Sequence, residues 1–251
     1  MRKSEAEIEI MAEGGRRLAE ILETLASEVL PGIPTNYFDS RSRELIKQAN
    51  AKPAFLGYVP PGSKDPFPAA ICVSLNDVIV HGLPSGKKLQ EGDLLKLDLG
   101  LVYKDFYLDA ALTVPVGSIH ESGKKLIAVT KKALDRGIAE AVSGNTLGDI
   151  GWAIQKTVTS EGFSVANSLS GHEIGKELHE GLSVYNFGKP GKGEELREGM
   201  VFAIEPMVAV GTNKIKSLPD GSFGTADGSL SAHFEHTVAI TKNGPRILTR
   251  V

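Results

Sequence analysis

The chain has 251 residues, 41% of them hydrophobic, and 28 lysines and arginines against 31 aspartates and glutamates give a formal charge of −3. That length supports a sizeable core, the composition excludes disorder as the main state, and the near-balanced charge argues against a surface built around phosphate backbones. The single cysteine, Cys72, excludes an intrachain disulfide and fits a reducing compartment, and no run approaches the roughly 18 apolar residues of a membrane helix.

Ile8, Met11, Leu18, Leu22 and Leu25 recur at helical spacing, so an amphipathic helix is predicted over residues 4–29, stopped by Pro31-Gly32-Ile33-Pro34. A second helix is expected over 40–50, with Ser40 or Ser42 as its cap. The β-branched stretch 69–82 reads as two short strands divided at Leu75-Asn76-Asp77, and LKLDLGLVYKDFYLDAALTV, residues 95–114, reads as a hairpin. Helical periodicity returns over 120–142 and 146–162, and 199–211 and 231–244 read as strands again. No composition break marks a linker. This order predicts an α+β fold with helices packed on one side of a curved antiparallel sheet, in a single domain spanning 1–251 with residues 1–39 as an N-terminal helical segment against it.

The hairpin raises the first chemical question. A two-residue turn at Tyr103-Lys104 would set Asp98 directly opposite Asp109 on one face, with Leu97, Leu99, Leu101, Phe106, Leu108, Ala110 and Leu112 filling the other. Two carboxylates about 4 Å apart repel by roughly 4 kcal/mol at an effective dielectric near 20, which a shared proton or a cation relieves. For an isolated pair the plain alternative is a solvated face on which the side chains splay apart. The rest of the chain shifts that balance. Glu205 in FAIEP and Glu235 in HFEHT stand inside apolar strands, where an ionised carboxylate is costly without a partner, and SGHEIGKELHE supplies His172 and His179. Taken singly, Glu205 reads equally as a buried ion pair, His172 as a core histidine and His179 as a loop residue. Together, four carboxylates and an imidazole suit divalent manganese, iron, cobalt or zinc, and their charge of −4 balances two dications.

The ordered set His81 in NDVIVHG, Asp98, Asp109, His172, His179, Glu205 in AIEPM and Glu235 in SAHFEHT resembles the type I methionine aminopeptidases over essentially the whole chain. The resemblance implies the pita-bread fold, two pseudo-two-fold α+β halves enclosing a dinuclear metal centre, and hydrolytic removal of N-terminal methionine from nascent proteins and peptides. It implies that Asp98 chelates one metal, that Asp109 and Glu235 bridge both, and that His172 and Glu205 complete the other, the ions being cobalt, manganese, iron(II) or zinc. It casts Glu205 as the proton shuttle, His179 as a donor to the carbonyl oxygen, and His81 as a contact to the scissile nitrogen or the next residue. The substrate's free amine would bind at one metal, which accounts for exopeptidase action.

Phe55, Tyr58 and Cys72 match positions that line the family's methionine pocket. The pocket tryptophan has no counterpart, since Trp152 falls in a helix, and Phe223 in PDGSFGTADG is the expected substitute. Glu173 stands where relatives carry glycine, and on extended backbone it should point away from the metals. Three relatives compete. Proline-specific enzymes need an N-terminal domain for which this chain has no room, and type II methionine enzymes carry an insertion although only 25 residues separate His179 from Glu205. Non-catalytic pita-bread binding proteins have lost ligands that this chain keeps. The expected partners are N-terminal peptides, with a transient approach to the ribosome through the N-terminal helix or basic turns such as Lys87-Lys88, for which a plain solvated face is the competing reading. A cytoplasmic monomer without membrane or specific nucleic-acid contacts is expected.

Overall fold

The computed structural model describes residues 2–59 and 65–250. Helices α1 (Glu5–Ser27) and α2 (Asn36–Gln48) open the chain, followed by short strands β1 (Lys52–Pro53), β2 (Cys72–Leu75) and β3 (Val78–Val80) and the long strands β4 (Leu94–Tyr103) and β5 (Phe106–Pro115). Helices α3 (Glu121–Ala139) and α4 (Leu147–Ser160) come next, then β6 (Ser164–Val165), β7 (Ser170–Glu173), β8 (Ser183–Tyr185), β9 (Val201–Ile204) and β10 (Met207–Ala209). The chain closes with β11 (Ile215–Ser217), β12 (Phe223–Thr225), β13 (Ser231–His233), β14 (Glu235–Thr241) and β15 (Gly244–Ile247).

Helix α1 starts where its cap dictates: the Ser4 hydroxyl accepts from the Glu7 N–H while the Glu7 carboxylate accepts from the Ser4 N–H. Helix α2 begins four residues before the expected start, and neither Ser40 nor Ser42 caps it. Thr35 holds the N-cap position without a side-chain cap because its hydroxyl donates to the Ser85 carbonyl, and fully buried Phe38 anchors the first turn. Ser42 is instead inside the helix, bonded back to the Asp39 carbonyl.

The hairpin differs from its predicted register. Tyr103 pairs with Phe106, so the turn is Lys104-Asp105, whose φ angles of 47° and 64° give the left-handed pair that matches strand twist. Asp98 therefore pairs with Ala111 and Asp109 with Gly100. The two aspartates share a face but lie diagonally rather than directly opposite. Because the shift is two residues, the apolar face survives intact: Leu97 pairs with Leu112, Leu99 with Ala110 and Leu101 with Leu108.

The largest sheet runs β1-β4-β5-β14-β9-β7-β8, with β2 added to β4 and β15 to β14; its described pairings are antiparallel. Its outer face carries two cores. Met11, Leu18, Leu22 and Leu25 of α1 pack with Leu97, Leu99, Leu101 and Leu108, each fully buried leucine contributing about 1.5–3 kcal/mol. Leu126, Leu134, Ile150 and Ile154 of α3 and α4 pack with Phe202, Ile204, Val238 and Ile240. Each half thus sets a helix pair on its own strands, and alternation along β4, β5, β9 and β14 sends the intervening side chains to the opposite, concave face. The strands of two to four residues at β1, β6 to β8, β11 and β12 were not predicted, being too short to show a period.

Candidate metal centre

Asp98 from β4, Asp109 from β5 and Glu235 at the start of β14 are buried on that face, beside His172 of β7 and Glu205, which follows β9. His172 Nε2 lies 3.9 Å from Asp109 Oδ2 and 3.8 Å from Glu205 Oε1. Asp109, His172 and Glu235 offer ligand atoms within 4.8 Å of one another, and so do Glu205, His233 and Glu235. Glu235 belongs to both groups. The Asp98 carboxyl interacts with that of Asp109 and sits across the ladder from Cys72.

Local structure fixes these groups. The Thr237 hydroxyl donates to the Asp109 carbonyl at 2.7 Å and accepts from the Asp109 N–H at 3.0 Å, which locks β5 to β14 at the site. Asn186 Nδ2 holds the Glu205 carbonyl at 2.9 Å. Gly171 precedes His172 because a Cβ there would run into the Ala203 carbonyl, and without it β7 lies flush on β9. His172 Nδ1 is 3.2 Å from the Glu173 carbonyl, so that nitrogen carries the proton and Nε2 turns a lone pair toward the carboxylates.

Burial raises the carboxyl pKa values throughout. It pushes Asp98 up to about 7, aided by the nearby Glu205, and drives Glu205 well above the usual carboxylate range. Asp109 and Glu235 move the same way, burial first and neighbouring carboxylates second. Burial also lowers His172 to about 3 and His81, His179 and His233 to about 4, which keeps all four imidazoles neutral. Asp98 Oδ1, Asp109 Oδ1, Glu235 Oε1 and both ring nitrogens of His233 are buried without a hydrogen-bond partner. His233 Nε2 comes within 3.3 Å of Glu205 Oε2 but lacks hydrogen-bond alignment. Clustered carboxylates and neutral imidazoles with orphaned lone pairs are a poor hydrogen-bond network and a good donor set for divalent cations.

The predicted rim is also brought together. The His179 ring lies 4.2 Å from that of His172, centroid to centroid, and its Nδ1 is 2.7 Å from the Tyr58 hydroxyl. His81, held at a left-handed φ of 62°, sits edge-on to Phe223 at 5.7 Å. Phe55 packs over Gly100, which shares the face of Asp98, and its carbonyl accepts from the Tyr58 N–H. Phe55 thus meets the backbone at Gly100, Tyr58 meets His179, Cys72 pairs across the ladder with Asp98 and Phe223 meets His81, while Trp152 in α4 is exposed beneath Lys156. Glu173 turns away from the carboxylates toward Lys3, as extended backbone requires. Residues 60–64 of the proline-rich segment after Tyr58 lie outside the described residues.

Two buried residues of the site escaped the sequence reading. His233 lies two positions before Glu235, a spacing that alternation could have flagged. Lys96 shares the face of Asp98, fully buried, its ammonium donating to the Asn76 and Ser231 carbonyls and to the Ser231 hydroxyl at 2.7–3.2 Å.

Residues 9–242 match Metallopeptidase family M24. The chain is 44% identical to a methionine aminopeptidase of Clostridium perfringens, over 99% of this chain and 98% of that protein. It belongs to the methionine aminopeptidases of metallopeptidase family M24. Methionine aminopeptidase 1 of Bacillus subtilis is 42% identical over 99% of this chain and 98% of its own length. The crystal structure of methionine aminopeptidase from Thermotoga maritima matches with a TM-score of 0.95 and 42% identity, covering 100% and 99% of the two chains. The fold is accordingly the pita bread of this family. Prolidase from Pyrococcus furiosus, at 23% identity and a TM-score of 0.80, shares that fold over 65% of its chain. Among the described residues no helix is long and apolar enough to cross a membrane.

Proposed function

We propose that this chain removes the N-terminal methionine from peptides and nascent proteins as a single cytoplasmic catalytic domain, a monomer that approaches the ribosome only transiently. The observation that carries the reading is the set of orphaned, buried ligand atoms on Asp98, Asp109, Glu235 and His233, in a chain similar end to end to methionine aminopeptidases. These residues fit two divalent ions, drawn from cobalt, manganese, iron(II) and zinc. Asp98 and Asp109 would hold one, His172 and Glu205 the other, with Asp109 and Glu235 shared. Bound divalent ions lower the pKa of water and polarise a carbonyl.

The chain's own residues do the rest. Glu205, buried beside His172 and His233, takes the proton from the attacking water and returns it to the leaving amine. The Tyr58 hydroxyl lies 2.7 Å from His179 Nδ1; with Tyr58 as the donor, Nε2 carries the proton and His179 serves as a neutral donor to the developing oxyanion. His81, fixed by its backbone and by Phe223, contacts the scissile nitrogen or the following residue. Phe55, Tyr58, Cys72 and Phe223 receive the methionine side chain, and the free amine must reach the carboxylate floor, which excludes chains without one.

Metal analysis paired with Met-Ala-Ser hydrolysis tests the reading. Activity should disappear on chelation and return with cobalt, manganese or iron(II). Full activity in the metal-free protein would overturn it.

A further inference from the structure

We propose that Lys3 is a positioning residue for His179: its ammonium, brought in by the segment before α1, locks the loop that joins the two site histidines. This rests on the reading of His179 as the donor to the carbonyl oxygen. Lys3 is 7% exposed, a burial that lysine seldom shows unless it is paired. Its Nζ lies 2.6 Å from Glu180 Oε2 and 3.9 Å from Glu173 Oε1. Glu180 directly follows His179 and Glu173 directly follows His172. One ammonium therefore reaches the residue next to each histidine.

The surroundings are built for this contact. Inside the loop, the Glu180 N–H donates to the Glu173 carbonyl at 2.8 Å and the Lys176 N–H donates to Glu180 Oε1 at 2.8 Å. Glu180 thus closes the loop on itself while its other oxygen takes Lys3. At Gly175 a Cβ would collide with both Lys3 Cε and Glu180 Oε1, so the glycine makes room for the ion pair. Lys3 is held in turn: its N–H donates to the Gly199 carbonyl at 2.7 Å, and Arg2 Nε donates to the Glu198 carbonyl at 2.6 Å. Gly199 leads directly into β9 and so to Glu205. Through Lys3 the backbone that carries Glu205 is tied to the loop that carries His179.

Removing the ammonium takes away the 2.6 Å tether on Glu180 and the lysine charge that Glu173 also faces, and the loop, with Gly175 inside it, is freer to open. The Tyr58 bond would keep the His179 tautomer, yet the ring would lose the anchor on its backbone side. Catalytic donors are sensitive to displacements on the order of 1 Å, so the loss should fall on turnover rather than on substrate binding.

The test uses the full metal-loaded protein with Met-Ala-Ser and the variants Lys3→Met, Lys3→Arg, His179→Ala and Lys3→Met combined with His179→Ala. Lys3→Met should lower kcat about tenfold with KM within about twofold of wild type, and Lys3→Arg should recover most of the loss. In the His179→Ala background the same substitution should cost almost nothing, because no imidazole remains to be placed. Hydrogen exchange at the Lys176 and Glu180 amides should quicken in Lys3→Met at unchanged melting temperature and metal content. An equal cost in both backgrounds, or wild-type kinetics in Lys3→Met, overturns the inference. Should Lys3→Met not fold, Glu180→Gln removes the same tether from the other side under the same expectations. The His179→Ala single variant reports separately on the underlying reading: if it is as fast as wild type, the role of His179 falls and the positioning role with it.

Discussion

Asp98, Asp109 and Glu235 are spaced by strand register, whereas His81 and His179 take their places from what surrounds them. On the floor, each carboxylate belongs to a ladder position, and β4, β5 and β14 carry mostly apolar side chains into the helix-backed cores on the alternate residues. On the rim, His179 depends on Tyr58 and on the loop closed by Glu180, and His81 on a left-handed backbone and the edge of Phe223. A floor built this way brings carboxyl groups together by force of packing, a crowding that protons or bound cations relieve. A rim built this way can be retuned by single contacts without disturbing the sheet.

The difference predicts a ranking of substitutions. Glu205→Gln strikes the floor and should lower kcat about a thousandfold or more, since ligation and proton transfer fail together. Near wild-type turnover in a steady-state assay would show that the floor is not the reacting centre. His179→Ala strikes the rim and should cost about 3–4 kcal/mol of transition-state stabilisation while metal content stays at the wild-type level. Loss of metal on that substitution would erase the distinction between the two regions. The smallest effect is expected at Phe223, which borders His81 at the mouth. Phe223→Ala should weaken discrimination between Met-Ala-Ser and Leu-Ala-Ser by about 1–3 kcal/mol in kcat/KM and leave the metal untouched. A wild-type enzyme that prefers leucine, or proline in second place, would keep the metallo-aminopeptidase reading and discard methionine.

The same contrast decides what the sequence could tell. Period-two alternation in LKLDLG and FYLDAA exposes the polar face of the hairpin, so Asp98 and Asp109 are legible together with the leucine face behind them. Their relative register was not, because it depends on Lys104 and Asp105 both adopting left-handed backbone, and the sequence equally allows a turn one residue earlier. Glu205 and Glu235 are legible as charges inside apolar strands. His233 is legible by the same alternation, two positions before Glu235, although the structure breaks the strand at Phe234 between them. Lys96 and Lys3 were not legible at all. Their most distant partners, Ser231 and Glu180, lie 135 and 177 residues away, and no local period carries such information.

Cys72 sits across the ladder from Asp98, and burial followed by the nearby negative charges pushes its thiol well above the ordinary value. A thiol so held stays protonated, is a weak nucleophile, and is slow to enter the sequence from sulfenic to sulfonic acid that oxidants open to thiolates. Being the chain's only cysteine, it also has no resolving partner. In the proposed methionine pocket, Cys72 would then place a soft, polarisable atom against the thioether without exposing the enzyme to redox inactivation at that position.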